Sequence, residues 1–235
     1  MAETIEVVVV RVFADATGGH GNELGIIRSS TLTEGREQTI ALGLGFSETV
    51  FVDAIGPVDA PEQGRAASIR IFTPARELPF AGHPSVGTAW WLAHEGDPVT
   101  VLRERAGEVE VRTDGDTTWI TARADWAPEF EWHAFESIDE VDAIDPAVFT
   151  DGHHYAYAWV DESAGRLRAR MFAPDMGIPE DEATGAAAVR VTARLGRDLH
   201  ISQGTGSELV TALADDDRIR VGGRTVYDRT ITVAL

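Results

Sequence analysis

Runs dense in β-branched and aromatic side chains cover residues 5–13, 49–53 and 68–72, and that pattern predicts three strands. Between the first two, the apolar positions Ile40, Ala41 and Leu44 follow Thr33, which predicts a helix over 33–44 that ends at the glycines 43 and 45. After Pro84, Val86, Ala89, Trp90 and Ala93 share one helical face up to Gly96, the pattern of a buried helix. Residues 99–105, 108–113 and 118–122 read as hairpin strands around Gly107 and the Asp114-Gly115 turn. The second part of the chain predicts strands over 154–160 and 167–172. An alanine-rich helix over 184–195 follows, with Arg190, Arg194 and Arg197 towards its end, then strands over 208–212, 218–221 and 225–233. Residues 123–152, acidic and carrying two tryptophans, Pro128 and Pro146, form the expected crossing between the two parts.

The two parts resemble each other. Residues 70–89, RIFTPARELPFAGHPSVGTA, align with residues 170–189, RMFAPDMGIPEDEATGAAAV, with Arg70/Arg170, Phe72/Phe172, Pro74/Pro174 and Pro79/Pro179 in register. Each copy runs strand, turn, helix start. A repeat at this spacing is too long for a solenoid and predicts two related halves, 1–115 and 116–235, whose helix starts converge on one cleft.

Composition narrows the function. A chain of 235 residues with 43% hydrophobic residues can bury a sizeable core, and a net charge of −19 repels phosphate backbones and anionic membranes. Neither nucleic acid nor a membrane is an expected partner. At the N-terminus Glu3 stands where a signal peptide would carry basic residues, and the run Val7 to Val10 is too short to span a bilayer, so a cytoplasmic location is expected. The absence of cysteine removes disulfides, thiolate metal sites and thiol nucleophiles together. The seven histidines show no HExxH or comparable spacing, and no metal is expected. Neither a GxGxxG after a strand nor a P-loop is present, so no cofactor is implied.

Three segments carry chemistry. Phe46-Ser47-Glu48-Thr49-Val50 places a carboxylate at the mouth of an apolar strand, where desolvation raises a carboxyl pKa towards values useful for proton transfer. Pro79-Phe80-Ala81-Gly82-His83-Pro84 sets a histidine beside a helix start, whose N–H groups and dipole favour an anion. Asp181-Glu182-Ala183-Thr184-Gly185-Ala186 puts a small Thr-Gly step at a second helix start behind an acid. Taken singly, each also has a plain structural reading: an exposed strand-end acid, a core histidine, an acidic N-cap.

Together with Gly21-Asn22 and Gln203-Gly204, these segments resemble the PhzF-like isomerases of phenazine biosynthesis, which share the diaminopimelate epimerase fold. The resemblance covers nearly the whole chain in order. It implies an α+β architecture of two pseudo-symmetric halves, each a barrel-like sheet around a central helix, with the active site between them. It implies Glu48, His83 and Asp181 as catalytic residues, and Asn22, Ser47, Gly82, Thr184, Gly185, Ala186, Gln203 and Gly204 as substrate-binding ones. Related racemases use two cysteines near the helix starts, a chemistry this chain excludes. Departures from the family pattern are Glu23 for a proline, Ala186 for the site serine and Ser207 for an arginine. The activity implied is cofactor-independent isomerisation of a small cyclic carboxylic acid by a homodimer; the alternative is a non-catalytic small-acid binder on the same fold.

Overall fold

The computed structural model of the chain describes residues 3–58 and 64–235; the first two residues of the N-terminal stretch read above lie outside them. The first part of the chain holds β1 (Thr4–Ala14), β2 (Asn22–Arg28), α1 (Glu37–Leu44), β3 (Glu48–Pro57), β4 (Arg65–Phe72) and β5 (Glu77–Leu78). It continues with α2 (Gly82–His94), β6 (Val101–Glu104), β7 (Gly107–Asp114) and β8 (Thr117–Arg123). Then come β9 (Glu131–Ala134), α3 (Ile138–Asp142), β10 (His154–Asp161), β11 (Arg166–Ala173) and β12 (Ile178–Asp181). The chain closes with α4 (Gly185–Leu195), β13 (Leu199–Gln203), β14 (Ser207–Leu213) and β15 (Arg218–Ala234).

Strands β1, β2, β3, β4, β6, β7, β8 and β15 pair in that order, and β15 returns to β1, closing a barrel. Its interior is filled by α2, which is buried from Gly82 to Ala89 and again at Trp91 and Leu92. A helix apolar on every side needs a closed sheet around it. The second half runs β15, β14, β13, β11, β10, β9 around α4 and remains open at β9. Residues 124–130 cross that opening, held where Arg190 of α4 donates to the Ala127 carbonyl at 2.7 Å and pairs with Glu129.

The halves share β15. The pattern predicts two strands over 218–221 and 225–233, whereas one 17-residue strand runs through Gly222 and Gly223. A Cβ on either glycine would stand 2.6 Å from the Trp119 ring or 2.5 Å from the Phe13 ring, so the pair lets two aromatic rings pack flat on a continuous strand. Residues 218–224 pair with β8, and 224–234 with β1. The expected boundary at 115/116 falls in the turn between the paired strands β7 and β8.

Strands β2 and β13 form where no strand is predicted, and two predicted elements take other bounds or content. Helix α1 starts at Glu37 rather than Thr33, because the Thr33 hydroxyl closes a turn onto Ser30 and Gly35 takes the left-handed φ of 73°. The crossing at 123–152 is not a bare linker: β9 joins the sheet, and α3 carries a capping box from Ser137 and Glu140.

The internal repeat is visible in side chains. Arg70 lies over the Phe72 ring at 5.8 Å and Arg170 over the Phe172 ring at 5.1 Å, and the following short strand pairs back in each copy. The alignment then slips. Gly82 meets Gly185, three positions beyond the offset of one hundred that aligns the strands.

Candidate active site

The two helix starts touch backbone to backbone. A Cβ on Gly82 would lie 2.7 Å from the Gly185 Cα, and one on Gly185 would lie 2.8 Å from the Gly82 Cα. Glycine is required at both positions for this approach. Neither helix has a side-chain cap on its first N–H groups. Helical geometry gives those donors no intrahelical acceptor, so two sets of free N–H groups and two positive dipole ends meet at one point.

Glu48 opens β3 at this point and His83 follows Gly82. Both are buried, at 9% and 3% exposure, and Glu48 Oε2 faces His83 Nε2 at 3.5 Å. Neither of these two atoms has a hydrogen-bond partner. The His83 ring hydrogen bonds to the Glu23 carbonyl, which can only accept, so the neutral ring keeps its proton on the other nitrogen and presents a bare Nε2 to Glu48. Burial lowers the His83 pKa to about 4, against the opposing pull of Asp181. Burial raises Glu48 to about 7, with the Ser47 hydroxyl opposing. Two lone pairs face each other across a gap that one proton can fill; between about pH 4 and 7 that proton belongs to Glu48, and above about 7 Glu48 is ionised.

Asp181 ends β12 on the opposite side. Asn22 Nδ2 donates to its Oδ1 at 2.7 Å and the Thr184 hydroxyl to its Oδ2 at 2.5 Å. The same Asn22 amide reaches the Ala183 carbonyl at 3.0 Å, while Gln203 Nε2 donates to the Asp181 carbonyl at 3.1 Å and to Thr184 Oγ1 at 2.9 Å. Burial, then the Glu48 charge, raise Asp181 to about 6 in spite of these bonds and of His83. Two carboxyl groups thus titrate near neutrality around one histidine, the condition for moving protons at physiological pH.

Beside this cluster lies a cavity of about 360 Å³. Glu48, Asp181, Thr184 and Ala186 face it, and its walls are Leu78, Phe80, Trp126, Phe130, Met171 and Met176, with Arg76 and His153 among its polar lining. Several residues expected to bind substrate sit elsewhere. Asn22 and Gln203 are buried behind Asp181 with both amide N–H bonds spent on protein acceptors, so they position Asp181 and Thr184. Asn22 and Ser47 line a separate shallow cleft on the far side of Asp181. Gly204 takes φ 60° and lies against Glu182, whose carboxylate holds Thr205 and Ser207. His83, Gly82 and Gly185 are not on the cavity wall, which at the two helix starts is formed by Glu48, Ala81, Thr184 and Ala186.

Sequence reasoning missed the wall and one acid. Trp126 and Phe130 belong to the segment read as a crossing, and only the fold swings them over the cavity. Glu104 is raised to about 8 by burial and contacts the Ser85 hydroxyl at 2.6 Å, which itself donates to the Ala81 carbonyl at 2.7 Å. The Ser85 hydroxyl can donate to Glu104 or to the Ala81 carbonyl, and burial of Glu104 behind the start of α2 favours its protonated form. No spacing in the chain marks it.

Removing the charge of Asp181 tests its place. Asp181→Asn is expected to lower turnover by about 10²-fold with the folded fraction unchanged by circular dichroism. Loss of folding with full turnover per folded molecule would make Asp181 a cap only.

The fold matches solved structures over its whole length. A Bacillus anthracis PhzF-family protein superposes with a TM-score of 0.78, 20% identity and coverage of 99% of this chain and 100% of that one. A hydroxyproline epimerase from Agrobacterium vitis superposes at 0.64 with 12% identity, over 100% and 94% of the two chains. The architecture is therefore α+β of the diaminopimelate epimerase-like class. A family model described as phenazine biosynthesis-like protein matches residues 10–151, and the trans-2,3-dihydro-3-hydroxyanthranilate isomerase of Pseudomonas aeruginosa is 30% identical over 211 residues, 74% of each chain. The chain belongs to the phenazine biosynthesis-like protein family, and like its named relatives it is an isomerase. Among the described residues no helix is long and apolar enough to cross a membrane.

Proposed function

We propose that the chain isomerises a small ring-containing carboxylic acid by moving one proton between ring carbons, without a cofactor, on a substrate of the dihydro-hydroxyanthranilate class on which its relatives act. The observation that carries this reading is Glu48: a buried carboxyl raised to about 7 at the edge of an apolar cavity, with an unpartnered oxygen facing an unpartnered imidazole nitrogen. In the ionised form Glu48 takes a proton from a ring C–H, and the negative charge spreads into the conjugated acid. The positive ends of the two helices, which reach the cavity at Ala81, Thr184 and Ala186, stabilise that charge. The proton then returns to a different carbon, from Glu48 directly or through His83 and Asp181, so substrate and product have the same composition. The aromatic and methionine walls suit a flat ring. The assembly carried by this reading is a homodimer, to be measured as twice the 25.4 kDa chain mass by light scattering.

The test is turnover of trans-2,3-dihydro-3-hydroxyanthranilate and a panel of related cyclic acids as a function of pH. With Glu48 as base, kcat/KM rises with pH up to about 7 and levels off above it. His83 titrates near 4, below the working range, so a second inflection, near 6, would belong to Asp181. A profile flat from pH 5 to 9 would remove Glu48 as the base.

A further inference from the structure

On the outer face of the second half, behind the cavity wall, the fold assembles three ligating side chains that are scattered in sequence. Strands β9 and β10 are parallel, with Glu131 opposite His154 and His133 opposite Ala156. Residues two apart on a strand share a face, so Glu131 and His133 project together towards His154. His133 Nε2 and His154 Nδ1 are 3.2 Å apart, Glu131 Oε2 is 3.7 Å from His154 Nδ1, and all three donor atoms lie within 4.8 Å of one another. A tetrahedral metal with bonds of about 2.0–2.1 Å sets its ligands about 3.3 Å apart, close to the spacing of the two nitrogens.

The rest of the site is built to hold that geometry. His154 Nε2 lies 2.6 Å from the Asp151 carbonyl, an obligate acceptor, so the ring proton is on Nε2 and Nδ1 offers a lone pair. A ligating histidine anchored through its other nitrogen to a backbone carbonyl is the usual arrangement of metal sites. Phe149 stacks on the His154 ring at 4.2 Å and fixes its plane, and Gly152 at φ 74° leaves room for His154 Nε2 and the Glu131 carboxylate. His154 is 5% exposed, whereas the Glu131 side chain is 67% exposed, so the fourth coordination position opens to water.

We infer that Glu131, His133 and His154 form a binding site for a divalent transition metal of the zinc class, with water as the fourth ligand. Two nitrogen donors of three select zinc, cobalt or nickel over magnesium and calcium, which prefer oxygen alone. The sequence reading expects no metal because Glu131 and His133 stand 21 or more residues from His154, and only parallel strand pairing joins them. Phe130 and His153, each adjacent in sequence to a ligand, turn to the opposite face and line the cavity. A bound metal therefore pins the edge strand β9 behind that wall.

The test uses the full chain stripped of metal and titrated with cobalt(II) alone. One equivalent is expected to give the intense visible absorption of a tetrahedral site, removed by zinc, and zinc is expected to raise Tm while magnesium does not. His133→Ala should weaken cobalt binding by about a hundredfold, and Glu131→Gln, at an exposed position that leaves folding intact, by about tenfold. Cobalt that shows only the weak spectrum of its hydrated ion, or that binds Glu131→Gln and His133→Ala as tightly as the parent, would overturn the site and leave an ordinary histidine–histidine hydrogen bond.

Discussion

Glu48→Gln is expected to cut turnover by about 10²–10⁴-fold and, in the same protein, to raise stability at alkaline pH. The first effect follows from the proposed role of Glu48 as general base. The second follows from linkage. Burial lifts the Glu48 pKa from 4.5 to about 7, so between those values the folded chain holds a proton that the unfolded chain has released. Its contribution to stability is intact below pH 4.5, falls as pH rises through that window, and is lost in full above about 7, a cost of about 3 kcal/mol. Glutamine carries no charge to desolvate, and its amide can donate to the bare Nε2 of His83. The variant should melt higher than the parent at pH 8 and equally at pH 4, by calorimetry across pH, with substrate affinity within about tenfold. Unchanged turnover would remove Glu48 from the chemistry, and a lower Tm at pH 8 would mean that the carboxylate is stabilised by groups not seen around it.

Gly82→Ala has the second large effect. The new methyl would stand 2.7 Å from the Gly185 Cα and carbonyl carbon and 3.1 Å from the Ala186 nitrogen, all of them backbone atoms with no rotamer to yield. The helix starts must separate, at a cost of about 1–3 kcal/mol. Separation also moves two sets of N–H donors off the developing charge, and a displacement of about 1 Å at a reacting centre costs about 10²-fold in rate. Chemical denaturation and turnover should fall together. Because Gly185 faces the same contact from the other side, Gly185→Ala should match it, and the double variant should lose less than the sum of the two. Additive losses would mean that the two glycines act separately.

These two experiments bear on residues that the chain displays with unequal clarity. Glu48, His83 and Asp181 are legible because each sits in a local pattern, an acid at a strand mouth or a residue beside a helix start; the repeat brings the helix starts of His83 and Asp181 together, while Glu48, outside both copies, is joined to them only by the family resemblance. The Gly82–Gly185 contact is half legible: the repeat pairs the two helix starts, but the insertion after Pro179 shifts the register, and an alignment anchored on Arg70 and Arg170 sets Gly82 against Glu182. Strand β2 carries Asn22, Glu23 and Gly25, residues poor in strand propensity. It is held in the sheet by pairing with β1 and β3 and by Phe46 lying over Gly25. The split roles of Asn22 and Gln203 depend on where four amide hydrogens point, which no spacing encodes. The cavity wall at Trp126 and Phe130 depends on the path of residues 124–130 across the open side of the second half, a long-range feature with no local signature.

Proton exchange in heavy water, followed by proton NMR on trans-2,3-dihydro-3-hydroxyanthranilate, tests the central claim most directly. The parent protein is expected to convert the substrate with deuterium entering the ring carbon that receives the proton, while Glu48→Gln leaves both the substrate and its C–H signals unchanged. Saturable binding of the acid with no exchange by the parent, or equal exchange by parent and variant, would contradict an isomerase whose proton is carried by Glu48.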